Sequence, residues 1–203
     1  MKPMRIRFAR PRPVAVLALV VGLAVVVWLV LGGSRRQPSS AGTPVAGAAA
    51  APQPGAERKI NVTLFYVTED GLALVGAARE IAFGEPIAEQ ARHIIEAQLA
   101  AAPEPLLSAV PEGTSLKAVF VSERGDAFVD LSGDVTARHT GGVLDELFTV
   151  YAIVNALTVN LPAITRVQIL IDGREVDTLA GHVDLRHPLN KSLKWVRTEK
   201  DAS

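Results

Sequence analysis

The sequence predicts an α+β domain, a small mixed β-sheet packed by two helices, preceded by one transmembrane helix and a disordered linker. Three observations carry this expectation. Beyond residue 57, several short segments alternate apolar and polar residues with period two and end in Gly, Asp or Glu turns. Two longer stretches, 86–99 and 143–161, show helical spacing instead. Ahead of them lies an uncharged run from Val14 to Leu31. Strands and helices in this order form one layered core of ordinary size.

The formal charge is zero, with 21 basic and 21 acidic residues, but its distribution is uneven. All acids lie at or after Glu57, whereas Lys2, Arg5, Arg7, Arg10, Arg12, Arg35 and Arg36 precede it, so residues 57–203 carry 14 bases against 21 acids, a net −7. That excludes duplex nucleic acid as the natural partner, because phosphate binding needs a basic face on the folded part. No cysteine is present, which removes disulfides, thiolate zinc sites, a cysteine nucleophile and an N-terminal lipid anchor on cysteine.

Residues 1–13 read as a basic cytoplasmic N-terminus. Residues 14–31 are 18 long, and a helix of that length spans roughly 27 Å, close to the apolar thickness of a bilayer. The basic residues before it place the N-terminus inside and the rest outside the cytoplasmic (inner) membrane. The length of the run favours an uncleaved anchor over a cleaved secretory signal, whose apolar region is shorter. Residues 32–56, rich in Gly, Ser, Pro, Ala and Gln, read as a flexible tether of roughly 25–30 Å r.m.s. span. The folded domain is expected over 57–192, with 193–203 as a tail.

Within the domain, Ile60, Val62, Leu64 and Tyr66 alternate along a first strand, and Glu69-Asp70-Gly71 turns the chain into a weaker return strand, or a pair of short strands, over 72–83. Pro86 opens a helix with Ile87, Ala91, Ile94, Ile95 and Leu99 on its apolar face and Glu89, Arg92 and Glu96 opposite. Pro103 and Pro105 end it, and Leu106 and Leu107 plug the following loop. Segments 115–122 and 126–131 flank Glu123-Arg124-Gly125 as a hairpin. After Gly141-Gly142, a helix presents Leu144, Leu147, Phe148, Tyr151, Ala152, Val154 and Asn155 as a broad stripe, with Asp145 and Glu146 complementing its positive end. Val167, Ile169 and Ile171 mark another strand, followed by an irregular edge with a short strand around 176–179.

Candidate chemistry is sparse. His182, Asp184 and His187 supply ligand types for zinc, but His187 is out of step with the other two along a strand, and the three read instead as a polar edge loop, with His182 hydrogen-bonded and Pro188 ending the element. Ser132 with Asp130, Asp134 and His139 has the residue types of a nucleophile, acid and base, without the sharp strand-to-helix elbow that exposes a catalytic serine. Gly141-Gly142 before a helix suits an anion or simply a tight turn. Asn155 and Thr158 interrupt an apolar helix, and a core-facing Asn is expected to pin an adjoining loop or to sit at a subunit contact. Tyr66, Phe148 and Tyr151 read as core aromatics; with ten aromatic residues in all, a sugar-stacking surface is hard to populate. The expected site set is therefore empty: no catalytic, cofactor-binding or metal residues, and no cofactor.

Four segments, "VTLFYVTEDGLALVGAAREI", "AVPEGTSLKAVFVSERGDAFVDLS", "GGVLDELFTVYAIVNALT" and "VQILIDGREVDTLAGHVDLRHPL", in this order resemble the GerMN domain of sporulation and spore-germination proteins. The likeness runs from about Ile60 to Leu189. It implies a compact module similar to ring-building-motif domains, extracytoplasmic, without catalytic residues, and linked to envelope assemblies. Family members often carry two such domains behind a lipid anchor; this chain shows one copy behind an apolar span. The resulting expectation is a membrane-anchored, non-enzymatic interaction module of the cell envelope, self-associating or binding an envelope protein, with a sporulation role in a spore former. A peptidoglycan-binding or wall-active protein is the alternative.

Overall fold

The computed structural model describes residues 58–198. The basic N-terminus, apolar run and linker expected over 1–56 lie outside the described residues.

β1 (Lys59–Val67) pairs antiparallel with β2 (Leu74–Ala82), from Lys59 opposite Ala82 to Val67 opposite Leu74. The two-residue alternation holds: Val62, Leu64 and Tyr66 are buried because every second side chain of a strand faces the core. Phe65 is also buried, lying over Gly76 on the other face of the hairpin. A β-carbon at Gly76 would stand 2.9 Å from Thr63 Cγ2, so a larger residue there would have to displace the Thr63 side chain, whereas the Phe65 ring at 3.7 Å would meet it in ordinary contact.

The edge of β1 away from β2 is closed mainly by side chains. Gln98 accepts from the Phe65 N–H (2.9 Å) and donates to its carbonyl (2.7 Å). Asn160 treats Thr63 the same way (2.8 and 2.7 Å), and Val67 exchanges two backbone hydrogen bonds with Leu107, each 2.9 Å. Two amide groups thus take the place of a third strand and satisfy groups that would otherwise template pairing.

α1 (Ile87–Leu99) begins one residue after Pro86, which occupies the capping position. Its buried face is Gln90, Ala91, Ile94, Ile95 and Gln98, so the apolar stripe read from sequence is displaced at both ends. Ile87 is exposed, while Gln90 turns inward and accepts from the Gly84 N–H at 2.9 Å. On the solvent face Arg92 pairs with Glu89 and Glu96 as expected. In the next loop Leu107 is exposed and Leu106, Ala109 and Val110 fill the space instead, because pairing with Val67 turns the Leu107 side chain outward.

β3 (Leu116–Val121) and β4 (Asp126–Leu131) form the expected hairpin, with a register shift between Leu116 and Ala118. A one-turn helix α2 (Asp134–Ala137), absent from the sequence reading, then leads to α3 (Val143–Asn160). β5 (Arg166–Ile171) returns parallel to β4, from Asp126 opposite Arg166 to Leu131 opposite Ile171. β6 (Arg174–Glu175) and β7 (Leu189–Asn190) both pair with β5, giving the order β3-β4-β5-β6 with β7 beside β5. The strands thus fall into two sheets, the β1–β2 hairpin and this five-stranded mixed sheet, with α1 and α3 packed among them.

α3 is long and apolar enough to cross a membrane, yet it is the core helix of this domain. Phe148, Val150, Ala152, Ile153, Val154, Ala156 and Leu157 are all buried, around its whole circumference rather than along one stripe, and Leu144 in its first turn is exposed. The strand expected around 176–179 is corrected: the ladder stops at Glu175, and the segment that follows is irregular, the N–H groups of Leu179, Ala180 and His182 going to a side chain, described next. Residues 193–197 lie against β2, with the Leu74 N–H donating to the Trp195 carbonyl (2.8 Å) and the Arg197 N–H to the Leu74 carbonyl (2.7 Å).

Candidate functional site

The most constrained polar group is Glu146, whose side chain is fully buried in the first turn of α3. Its Oε1 accepts from the N–H groups of Leu179 (2.8 Å) and Ala180 (2.9 Å), and its Oε2 from the His182 N–H (2.7 Å). His182 Nδ1 lies 3.0 Å from Oε2, and since a carboxylate only accepts, that nitrogen carries the hydrogen. Burial alone would push the Glu146 carboxyl up; the backbone donors of Ala180, His182, Leu179 and Val183 outweigh it and hold it below the ordinary carboxylate range. One side chain therefore moulds the 176–188 loop onto the core, burying Leu179, Val183 and Leu185. Gln168 holds the loop's far side through Nε2 to the Leu185 carbonyl, 2.5 Å.

A cleft of about 320 Å³ opens at the same end of α3, lined by Val67, Glu112, Arg138, His139, Asp145 and Phe148 among others. His139 is fixed as one tautomer: the Gly141 N–H donates to Nδ1 (3.0 Å), so Nε2 carries the hydrogen and donates to Thr149 Oγ1 (3.2 Å). Thr149 in turn donates to the Ala109 carbonyl at 2.6 Å. Arg138 reaches Asp134 (3.3 Å), and Asp145 accepts from the Thr140 hydroxyl (3.0 Å).

The residues singled out from sequence do not converge. Ser132 Oγ donates to Asp134 (3.1 Å) and accepts from the Ser115 N–H (3.1 Å), Asp130 accepts from the Gly173 N–H (2.7 Å), and His139 faces Thr149 instead. This is a strand end satisfying nearby donors. Of the three candidate ligands, His182 is bound to Glu146 and Asp184 to Arg186 (2.6 Å). No group of three His, Asp or Glu among the described residues is placed to hold a metal ion. Gly141 and Gly142 both have positive φ (82° and 97°) and make the turn into α3, whose positive end already faces Asp145 and Glu146. Asn155 pins a loop, donating to the Ser192 carbonyl (2.8 Å) and accepting its N–H (3.1 Å), although the segment held is 37 residues away along the chain. Thr158 bonds back to the Val154 carbonyl (2.7 Å). Tyr66 and Phe148 are buried and Tyr151 is partly so.

Sequence reasoning missed Glu146 as an anchor because an acid in a first helical turn reads only as a dipole complement. It also missed Gln98, Asn160 and Gln168, whose amide types announce no partner.

Several large apolar side chains face outward, among them Leu72, Leu107, Val143 and Leu193. Phe120 on β3 is 61% exposed, beside Phe128 on the solvent side of the five-stranded sheet. The opposite side buries Ala127, Val129 and Leu131.

The fold and these contacts define an α+β scaffold domain whose interior polar side chains hold its own loops and strand edges. The chain belongs to the Germane family, described as sporulation and spore germination, whose model matches residues 63–177, within the span of the resemblance read from sequence. The tandem GerMN domains of the sporulation protein GerM from Bacillus subtilis align with TM-score 0.52 at 19% identity, over 66% of this chain and 46% of that one. The first GerMN domain of the same protein aligns at TM-score 0.48 and 19% identity, over 66% of this chain and 98% of that one. A Clostridium perfringens protein described as a candidate lipoprotein aligns at 0.47 and 23% identity, over 66% and 88%. The match to tandem GerM shows a shared α+β fold. No curated protein matches the chain.

Proposed function

We propose that this protein is a membrane-tethered, non-catalytic interaction module of the bacterial envelope, with the domain on the outer side of the cytoplasmic membrane and a sporulation or germination role where the organism forms spores. The observation that supports it best is a contrast. Ser132, His139, Glu146 and His182 are each engaged in holding strands and loops, whereas Phe120 is exposed on β3, an edge strand of the five-stranded sheet. Such edges bind other polypeptides by adding a strand, main-chain bonds giving affinity and side chains specificity. The apolar run at 14–31 and the basic residues before it support the anchor and its orientation. Membership of the sporulation and germination family supports the compartment and process.

The test is protease accessibility joined to crosslinking in native membranes. Protease added to intact spheroplasts should remove the domain, and crosslinking should capture it bound to envelope protein. A domain spared until the membrane is lysed, or one that crosslinks to nothing, would overturn the reading.

A further inference from the structure

The two flanks of the β1–β2 hairpin differ. β1 is closed by Gln98, Asn160 and Leu107, whereas the far edge of β2 is covered at one residue and open beyond it. The Leu74 N–H and carbonyl point outward to Trp195 and Arg197, and alternation along an antiparallel strand sends those of Gly76, Ala78 and Glu80 the same way. These three residues are exposed, and their outward main-chain groups have no partner among the described residues. α1 meets β2 past this stretch, at Ala82, whose carbonyl takes Gln90 Nε2 (3.5 Å) and His93 Nδ1 (3.1 Å). An edge of this kind, flat and without a bulge or proline, is a template for another strand. The bridge that covers its first residue, Leu74 with Val196, is parallel.

We propose that residues 199–203, which lie outside the described residues, run on from this bridge as a third strand of the hairpin, parallel to β2 and hydrogen-bonded to its open edge. The register is set by the two bonds already made. The Leu74 N–H donates to the Trp195 carbonyl (2.8 Å) and its carbonyl accepts from the Arg197 N–H (2.7 Å), and a parallel ladder repeats that step every two residues. Gly76 then donates to Arg197 and accepts from Glu199, Ala78 donates to Glu199 and accepts from Asp201, and Glu80 donates to Asp201 and accepts from Ser203. At about 3.3 Å per residue, five residues extend about 16 Å, which carries the segment to Glu80. The same register sets Asp201 beside Arg79 on one face and Lys200 beside Ala78 on the other, within diagonal reach of Glu80. A slip of one residue would put Lys200 beside Arg79 and Asp201 beside Glu80, like charge against like. The hairpin thus has both flanks closed, and any partner that adds a strand to β2 must first displace this segment.

The chain has no cysteine, so disulfides report the register directly. In the purified full-length protein under mild oxidation, Ala78→Cys with Lys200→Cys should close an intramolecular disulfide at least about tenfold faster than Ala78→Cys with Glu199→Cys, because neighbouring residues of a strand face opposite sides. Amide exchange at Ala78 and Glu80 should be at least about tenfold slower than in Asp201→Pro, which removes the donor to the Ala78 carbonyl, with the thermal transition of the domain unchanged. Equal disulfide rates for positions 199 and 200, or exchange at Ala78 and Glu80 that Asp201→Pro leaves unaltered, would overturn the third strand. A disulfide that joins two chains instead of closing one would also overturn it, assigning the edge to a second copy.

Discussion

Replacing Glu146 by Ala should be among the most damaging single changes in the domain. It removes the acceptor of three N–H groups at 2.7–2.9 Å, of Leu179, Ala180 and His182, and of the His182 ring. Each donor left without an acceptor costs about 1–3 kcal/mol when buried. The Leu179 bond is buried and the other two partly so, so the sum falls near 3–5 kcal/mol, the range found when one member of a buried charged network is removed. For a domain of this size that lowers Tm by about 10–15 °C. The assay is denaturant unfolding together with amide exchange read across 176–188. Exchange should accelerate at 179–183 first. Because the folded Glu146 carboxyl is held below its unfolded value, its contribution is fully present above the ordinary carboxylate range and is lost as pH falls toward the depressed value. Glu146→Gln should therefore show a flatter stability profile on the acid side than the parent. A loss under about 1 kcal/mol for Glu146→Ala, with unaltered exchange at 179–183, would refute the anchoring role.

Four further outcomes follow from the same contacts. Asn155→Leu should free the segment around Ser192, costing about 2–3 kcal/mol and exposing it to limited proteolysis. Gln98→Leu unseals Phe65 on the β1 edge and should cost about 2–3 kcal/mol, with light scattering rising as the edge recruits other chains. Gly125→Ala should be far worse than Gly141→Ala although both have φ near +80°: the new β-carbon would lie 2.5 Å from the Ala163 carbonyl oxygen in the first case and meet nothing within 4 Å in the second, so chemical denaturation should separate them by about 2 kcal/mol or more. The Thr68 hydroxyl, the Leu72 N–H and Arg197 hold Asp70 at about 2, so acidification from the ordinary carboxylate range toward that value should loosen the Arg197 contact, seen as faster exchange at Leu74 and Arg197.

Local chemistry is legible wherever one residue's neighbours in sequence are also its neighbours in space. Strands β1 and β4 were readable because alternation and burial share a period of two, and the hairpin at 123–125 because Gly125 supplies a positive φ. Helices α1 and α3 were readable from spacing, but not their buried faces, because Gln90 and Gln98 go inside to serve backbone groups of Gly84 and Phe65. Among the candidate residues, pattern alone placed Asn155 correctly as a pin and left its partner unknown. The Ser132 and His182 clusters held suitable residue types, and the structure engages each with a different neighbour.

Family, fold class and the order of most elements were thus determined by the sequence itself, through apolar periodicity and turn residues that act within a few positions. Only tertiary structure decided that the strands part into two sheets, that two amide side chains stand in for a missing strand, and that one buried carboxylate shapes the 176–188 loop. The reason is distance along the chain: Glu146 is 36 residues from His182 and Asn160 is 97 from Thr63. A hydrogen bond across such a gap leaves no periodic trace, since any acid or amide brought to the same place by packing would serve.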